Sequence, residues 1–105
     1  MTKRQKAICE RLGWHVQLDG NEIMLEQYSP LGEYCCFYAE KKRFAASISE
    51  YAENFDADEH ATMWIENRHS VKGVPQSVRA LIDDADAIQE MLTELSEQIN
   101  KTIRS

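Results

Sequence analysis

The hydrophobic pattern changes its period near residue 41, from strand-like alternation to a helical repeat. In the alternating part, apolar residues flank an Asp-Gly dipeptide at 19–20, which is typical of a two-residue hairpin turn. With this turn, Val16 would face Ile23 and Trp14 would face Leu25. The pattern therefore predicts a β-hairpin with its bulky apolar residues on one side and its polar residues on the other.

A short helix is predicted before the hairpin and a third strand after it. Thr2 is a suitable N-terminal cap for the helix, and Gly13 stands where a C-terminal cap belongs. Ser-Pro-Leu-Gly at 29–32 has the residue preferences of a turn, and the aromatic-rich segment 33–40 then completes an antiparallel meander. These aromatic residues suit a half-buried sheet, and a platform for stacking nucleic-acid bases is the alternative.

Three helices are predicted after the sheet. The first carries an apolar stripe formed by Phe44, Ile48, Tyr51, Ala52 and Phe55. The second carries a similar stripe formed by Ala57, Ala61, Trp64, Ile65 and Arg68. Pro75 suits the first position of a last helix over 75–103. Together the elements predict one α+β domain over residues 1–105, in the order α-β-β-β-α-α-α.

The last helix would be about 43 Å long at 1.5 Å per residue. A compact domain of about 100 residues is only about 30–35 Å across, so part of the helix is expected to project from it. Its heptad seam consists of Val78, Leu81, Ala85, Ile88, Leu92, Leu95, Ile99 and Thr102. We predict a homodimer whose contact is formed by Leu81, Ile88, Leu92, Leu95 and Ile99. The alternative is that the chain's own sheet and helices cover the seam.

Composition is that of a soluble globular protein. Of the 105 residues, 43% are hydrophobic and 29% are charged, and no apolar run approaches the roughly 18 residues of a membrane span. The N-terminal segment lacks the apolar core of a signal peptide, so a cytoplasmic location is expected. Cys9, Cys35 and Cys36 are odd in number and have no Cys-x-x-Cys spacing, which predicts reduced thiols.

The net charge of −6 is unevenly distributed along the chain. Residues 1–43 hold seven basic and six acidic side chains, whereas residues 44–100 hold three basic and twelve acidic ones. The acidic part would repel phosphate backbones, which argues against nucleic-acid binding by the whole domain. Basic side chains cluster in two places, formed by Lys3, Arg4, Lys6 and Arg11 and by Lys41, Lys42 and Arg43. A nucleic-acid-linked regulator that uses the N-terminal cluster is an alternative function.

Three acids and a histidine crowd into residues 56–60, where a helix start or a metal site would explain them. Asp56 and Glu59 have the spacing of a capping box, and acids in a first turn interact favourably with the helix dipole. The spacings of a zinc-binding helix and of a calcium loop are both absent. We predict a helix start without a metal. A divalent ion shared by Asp56, Glu59 and His60 is the alternative.

Motifs of known catalytic chemistry do not occur in the sequence. It contains no nucleophile elbow, Gly-rich phosphate loop or dinucleotide fingerprint. The three cysteines have no evident base beside them, and a buried small thiol is the ordinary role for each. We therefore predict a protein that is not an enzyme and needs no cofactor.

Two segments, EYAENFDADEHATMWIENR and GVPQSVRALIDDADAIQEML, carry a resemblance to known proteins. Over about residues 44–95 the chain resembles small acidic accessory proteins of bacterial phages and mobile elements. The resemblance implies a protein that binds and inhibits host or defence machinery, as anti-CRISPR proteins do, by placing carboxylates in a basic groove made for nucleic acid. The residues expected to contact such a partner are Asp83, Asp84, Asp86, Glu90 and Glu94. A small structural subunit of a homo-oligomer is the alternative.

Overall fold

The computed structural model describes the backbone of residues 1–66 and 77–104, and within them the side chains of residues 1–63 and 77–101. The elements are α1 (Lys3–Arg11), β1 (His15–Asp19), β2 (Glu22–Tyr28), β3 (Tyr34–Glu40), a short 3-10 helix (Lys41–Arg43), α2 (Phe44–Asn54), α3 (Ala57–Glu66) and α4 (Val78–Arg104). The strands form one antiparallel sheet in the order β1-β2-β3. The predicted α+β class and the element order α-β-β-β-α-α-α are confirmed.

Helix α1 begins and ends at the predicted caps. The Thr2 hydroxyl accepts a hydrogen bond from the Gln5 backbone N–H at 3.0 Å, and the Gln5 side chain accepts one from the Thr2 N–H at 2.8 Å. This reciprocal pair is a capping box. Gly13 follows the helix with a φ of +93°, a conformation that glycine adopts without steric cost, and its N–H donates to the Glu10 carbonyl at 3.0 Å.

The hairpin turn lies one residue later than predicted. Asp19 pairs with Glu22 in the ladder, so Gly20 and Asn21 form the turn, and the assignment of the turn to Asp19-Gly20 was wrong. Gly20 has a φ of +62°. Hairpin turns of two residues need a positive φ at their first central position, which glycine supplies at lower cost than aspartate.

This shift changes the cross-strand partners but keeps the faces of the sheet. Val16 lies opposite Leu25 instead of Ile23, which pairs with Leu18, and Trp14 precedes β1. Because the register moves by two residues and side chains alternate with period two, every residue stays on its predicted face. The predicted separation of apolar and polar residues is therefore confirmed.

The core lies between the inner face of the sheet and the helices. It comprises Ile8, Cys9, Trp14, Ile23, Leu25, Phe37, Ala39, Phe44, Ala45, Ile48, Ile88, Leu92, Leu95 and Ile99. Trp14 meets Phe37 edge to face, with ring centroids 5.5 Å apart, and Tyr51 stacks on Phe37 at 4.3 Å. The stripe predicted for α2 therefore faces the core. In α3, Ala57 and Ala61 pack against Ala85 of α4. The side chains of Trp64 and Ile65, as well as Arg68 and Pro75, lie outside the described residues.

From Leu81 to Ile99 the seam of α4 is covered by the chain itself. The five side chains assigned to a dimer contact are at most 4% exposed, namely Leu81, Ile88, Leu92, Leu95 and Ile99. Helices α1, α2 and α3 all pack against α4. The predicted homodimer contact through these residues was wrong, because the surface that a second copy would bury is already buried.

The described part of α4 begins three residues after the predicted start. The Ser77 hydroxyl accepts a hydrogen bond from the Ala80 N–H at 3.1 Å and so caps the helix, which begins at Val78. Its length of 27 residues does not make it a membrane segment. In the part of the chain that the structure describes, no helix is both long and apolar enough to cross a membrane.

Candidate interaction surfaces

An acidic stripe runs along the side of α4 that faces away from its buried seam. We call it the α4 stripe, and it consists of the exposed residues Asp83, Asp86, Glu90, Glu94 and Glu97. The spacing of three or four residues keeps these carboxylates on one side of the helix. From residue 83 to residue 97 the stripe is about 21 Å long at 1.5 Å per residue. The structure thus brings together four of the five residues predicted to contact a partner.

Asp84, the fifth predicted contact residue, is buried and has structural partners. It is 3% exposed, and its carboxylate accepts hydrogen bonds from the Ser29 hydroxyl at 2.7 Å and from the Leu31 backbone N–H at 3.0 Å. These bonds attach α4 to the turn between β2 and β3. Its assignment to the partner-binding face was wrong. A sequence signal existed, because Asp84 lies three residues after Leu81 and four before Ile88, on the edge of the apolar seam.

Basic residues bound the α4 stripe at both ends. Arg79 lies 3.9 Å from Asp83, and both side chains are mostly exposed, at 88% and 67%. Lys101 lies four residues after Glu97, about one helical turn further along α4. An exposed ion pair of this kind contributes only about 0.2–1 kcal/mol, so basic groups of a binding partner could displace Arg79 from the carboxylate.

The acids at residues 56–60 form the predicted helix start. The Asp56 carboxylate accepts a hydrogen bond from the Glu59 N–H at 3.1 Å, and Asp58 and Glu59 lie in the first turn of α3. The His60 Nε2 lies 2.8 Å from a Glu33 carboxylate oxygen of the neighbouring loop. Among the described residues, no cluster of three or more acids, histidines or cysteines has a geometry that could hold a metal ion.

The described thiols are unpaired with each other, as predicted. Burial raises the pKa of Cys9 from 9.0 to about 11 and the pKa of Cys35 from 9.0 to about 12. Both thiols are therefore protonated near neutral pH. A protonated thiol is a poor nucleophile, so these two residues have the packing role that the sequence assigned to them.

Stability is expected to fall above pH 9 because of the buried Cys9 thiol. Its pKa is higher in the folded chain than in the unfolded one, so its contribution is complete below pH 9 and is lost as pH rises to about 11. Urea unfolding at pH 8 and pH 11 measures the loss for the native chain and for Cys9→Ala. The native chain should lose about 2 kcal/mol more than the variant over this range. Equal losses of stability in the native chain and in Cys9→Ala would contradict the attribution of this pH dependence to Cys9.

The second exposed surface is the face of the sheet that points away from the core, which we call the outer sheet face. Its cross-strand rows are Asp19–Glu22–Glu40, Gln17–Met24–Tyr38, His15–Glu26–Cys36 and Tyr28–Tyr34. Tyr28, Tyr34 and Tyr38 are 66%, 50% and 48% exposed. The sequence predicted aromatic residues on a half-buried strand, and alternation with the buried Phe37 and Ala39 could have shown that its tyrosines point outward.

Glu26 is the centre of a polar network on the outer sheet face. It accepts a hydrogen bond from the Tyr34 hydroxyl, and its other carboxylate oxygen lies 2.8 Å from the His15 Nδ1. The bond to Glu26 raises the pKa of Tyr34. The Tyr28 and Tyr34 rings lie 5.5 Å apart. These contacts hold the aromatic row in place without covering it.

The two basic clusters differ in how far their charges are compensated. Arg43 forms ion pairs with Glu50 at 2.7 Å and with Glu40 at 2.9 Å. These two carboxylates, Glu50 first, raise its pKa further. On α1 the side chains of Lys3, Arg4, Lys6 and Arg11 are exposed, with Lys6 lying 3.9 Å from Glu10. The N-terminal cluster is therefore the more open of the two.

Comparison of the chain with protein-family models, with curated proteins and with solved structures finds no match.

Proposed function

We propose that this protein is a non-enzymatic binding module whose α4 stripe contacts a basic surface of another protein. The observation that carries the proposal is the alignment of five exposed carboxylates along one side of a helix whose other side is buried in the core. A helix held in this way presents its charges at defined spacings, so little conformational entropy is lost when a partner binds.

The charge density of the α4 stripe is within a factor of two of that of a nucleic-acid strand. Five carboxylates over about 21 Å give one charge per roughly 5 Å along the helix axis. One strand of B-DNA carries a charge per roughly 3.4 Å. A groove lined with lysine and arginine for phosphates would therefore attract this stripe as well.

The partner proposed is a host or defence protein with a basic groove for nucleic acid. Occupation of that groove by the α4 stripe would exclude the nucleic acid, so the protein would act as an inhibitor inside the cell. The resemblance to acidic accessory proteins of phages and mobile elements favours this partner over a purely structural one. The same charge complementarity would apply to any basic protein surface of similar length.

A binding role also agrees with what the reactive side chains do. Asp56 caps α3, His60 lies against Glu33, and the Cys9 and Cys35 thiols are protonated near neutral pH. Each of these groups therefore has a structural explanation that requires no substrate.

Reversing two charges of the α4 stripe should weaken partner binding by about tenfold or more at low salt. The test variant is Asp86→Lys with Glu90→Lys, and the matched control is Glu10→Lys with Glu53→Lys, which changes the net charge equally at exposed positions elsewhere. Immobilised native protein would capture the partner from a bacterial lysate, and calorimetry with the purified partner would give the affinities. Equal affinities for test and control variants would contradict the proposal.

The alternative function, a nucleic-acid-linked regulator, rests on the exposed basic side chains of α1. A gel-shift assay at low salt separates the two functions, because counterion release makes phosphate contacts strongest there. The binding module should shift neither double-stranded nor single-stranded DNA. A shift that Lys3→Glu with Arg4→Glu abolishes would establish the alternative.

A further inference from the structure

The outer sheet face has the composition of a binding surface. Helices α1, α2 and α4 contribute to the core on the inner face, and the three outward tyrosines stay 48–66% exposed. Tyrosine is enriched at the centres of protein interfaces because it supplies a large rigid contact area with a polar end. Cys36 lies between Tyr34 and Tyr38 along β3, and Met24 lies opposite Tyr38, so these two partly exposed residues add apolar surface beside the tyrosines.

A row of three carboxylates crosses the same face at one end. Asp19 lies opposite Glu22, and Glu22 lies opposite Glu40, so acidic side chains with Cβ atoms about 4.5–5.5 Å apart face each other across both ladders. Like charges directly opposite each other destabilise a sheet. Arg43 pairs with Glu40, whereas neither Asp19 nor Glu22 forms an ion pair with any residue that the structure describes. Cationic groups of a binding partner would therefore reduce the repulsion within this carboxylate row.

Among the residues that the structure describes, the outer sheet face carries no further uncompensated acid or base beside the carboxylate row. His15 is its one basic side chain, and it already lies against Glu26. Phosphate groups would meet the carboxylate row unfavourably, which argues against nucleic acid despite the stacking capacity of the tyrosines. Two copies of the face would bring the same acidic groups together, which argues against self-association through it.

We propose that the outer sheet face binds an arginine-bearing segment of another protein, with guanidinium groups over the tyrosine rings and beside the carboxylate row. Arginine fits better than lysine because its planar guanidinium both stacks on aromatic rings and binds carboxylates in a bidentate manner. The inference rests on the proposed function for the basic nature of the partner. It differs in the surface that makes the contact, since the α4 stripe and the outer sheet face lie on opposite sides of the core.

The experiment is a titration of the full-length ¹⁵N-labelled protein with a nona-arginine peptide, followed by NMR, and a parallel titration with nona-lysine. Nona-arginine should shift amide signals of β1, β2 and β3, with an affinity about tenfold higher than that of nona-lysine. The same titrations at low and high salt show how much of the binding is electrostatic, because exposed charges are screened by salt.

Two single variants and one matched control locate the contact. Tyr38→Ser should weaken nona-arginine binding by about fivefold and nona-lysine binding by less. Glu22→Gln should weaken both and should fold, because it removes a like-charge contact. Glu90→Gln on the α4 stripe makes the same charge change and should leave the shifts on the sheet unaltered. Circular dichroism of each variant confirms that it is folded.

The location of the shifted signals separates this inference from the proposed function. Shifts confined to the sheet support the inference and remove the α4 stripe from the function, whereas shifts confined to α4 overturn the inference and leave the function standing. No shift at low salt overturns both. Signals of the outer sheet face that move on dilution without peptide would assign it to a second copy. Shifts there caused by oligo-dT would assign it to nucleic acid. Either result overturns the inference.

Discussion

Replacing Asp84 by alanine should destabilise the protein by about 3 kcal/mol. The substitution removes the acceptor of two hydrogen bonds, one from the Ser29 hydroxyl and one from the Leu31 N–H. Hydrogen bonds to a charged group contribute about 1.5–3 kcal/mol each, and buried donors left without an acceptor carry a desolvation penalty. Since small domains are stable by only about 5–15 kcal/mol, this loss would be a large part of the total.

The control for this prediction is the preceding residue. Asp83 has the same side chain on the same helix but is 67% exposed and pairs only with the exposed Arg79, so Asp83→Ala should change the free energy of unfolding by no more than about 1 kcal/mol. Urea unfolding measures both variants. Asp84→Asn should fall between the native chain and Asp84→Ala, because the amide retains one oxygen as an acceptor. Equal effects of Asp83→Ala and Asp84→Ala would contradict the structural role of Asp84.

Replacing Leu95 by alanine should cost about 3–4 kcal/mol of stability. Leu95 is fully buried in the core with Leu92 and Ile99, so its truncation loses apolar burial and leaves a cavity. Leu95→Glu should prevent folding, because an unpaired carboxylate would be buried among apolar side chains. Val78 is the control, since it occupies the same heptad seam but is 55% exposed, and Val78→Ala should cost less than about 1 kcal/mol.

The same residues test how α4 is covered. If the seam is covered within one chain, the unfolding midpoint of the native protein should not change with protein concentration. Light scattering on a sizing column should then give the mass of a single chain, and Leu95→Glu should unfold that chain instead of separating two copies. An unfolding midpoint that rises with protein concentration would show that the seam forms a contact between two copies.

The helix starts and the alternation of the strands could be predicted because each depends on residues close together in the chain. The Thr2 cap acts over three residues and the Asp56 cap does the same. The period of two in β3 needs only neighbouring positions. Such local preferences determined the element order, the class and the faces of the sheet, even though the turn moved by one residue.

The candidate surfaces could be predicted only in part. Four carboxylates of the α4 stripe follow from helical spacing alone, whereas the burial of Asp84 depends on Ser29, which is 55 residues away in the chain. The outer sheet face was predicted only as the alternative of a base-stacking platform, because an aromatic strand is compatible with burial on either side. Only the placement of the helices on the inner face exposes Tyr28, Tyr34 and Tyr38.

By itself, therefore, the sequence determined which segments form helices and strands and which side chains share a face. The tertiary structure alone decided what covers each face. Helices α1, α2 and α3 bury the seam of α4 that was predicted to bind a second copy, and the turn at 29–32 binds Asp84. The physical reason is that periodicity and capping are short-range, whereas burial is a property of segments that meet only after the chain has folded.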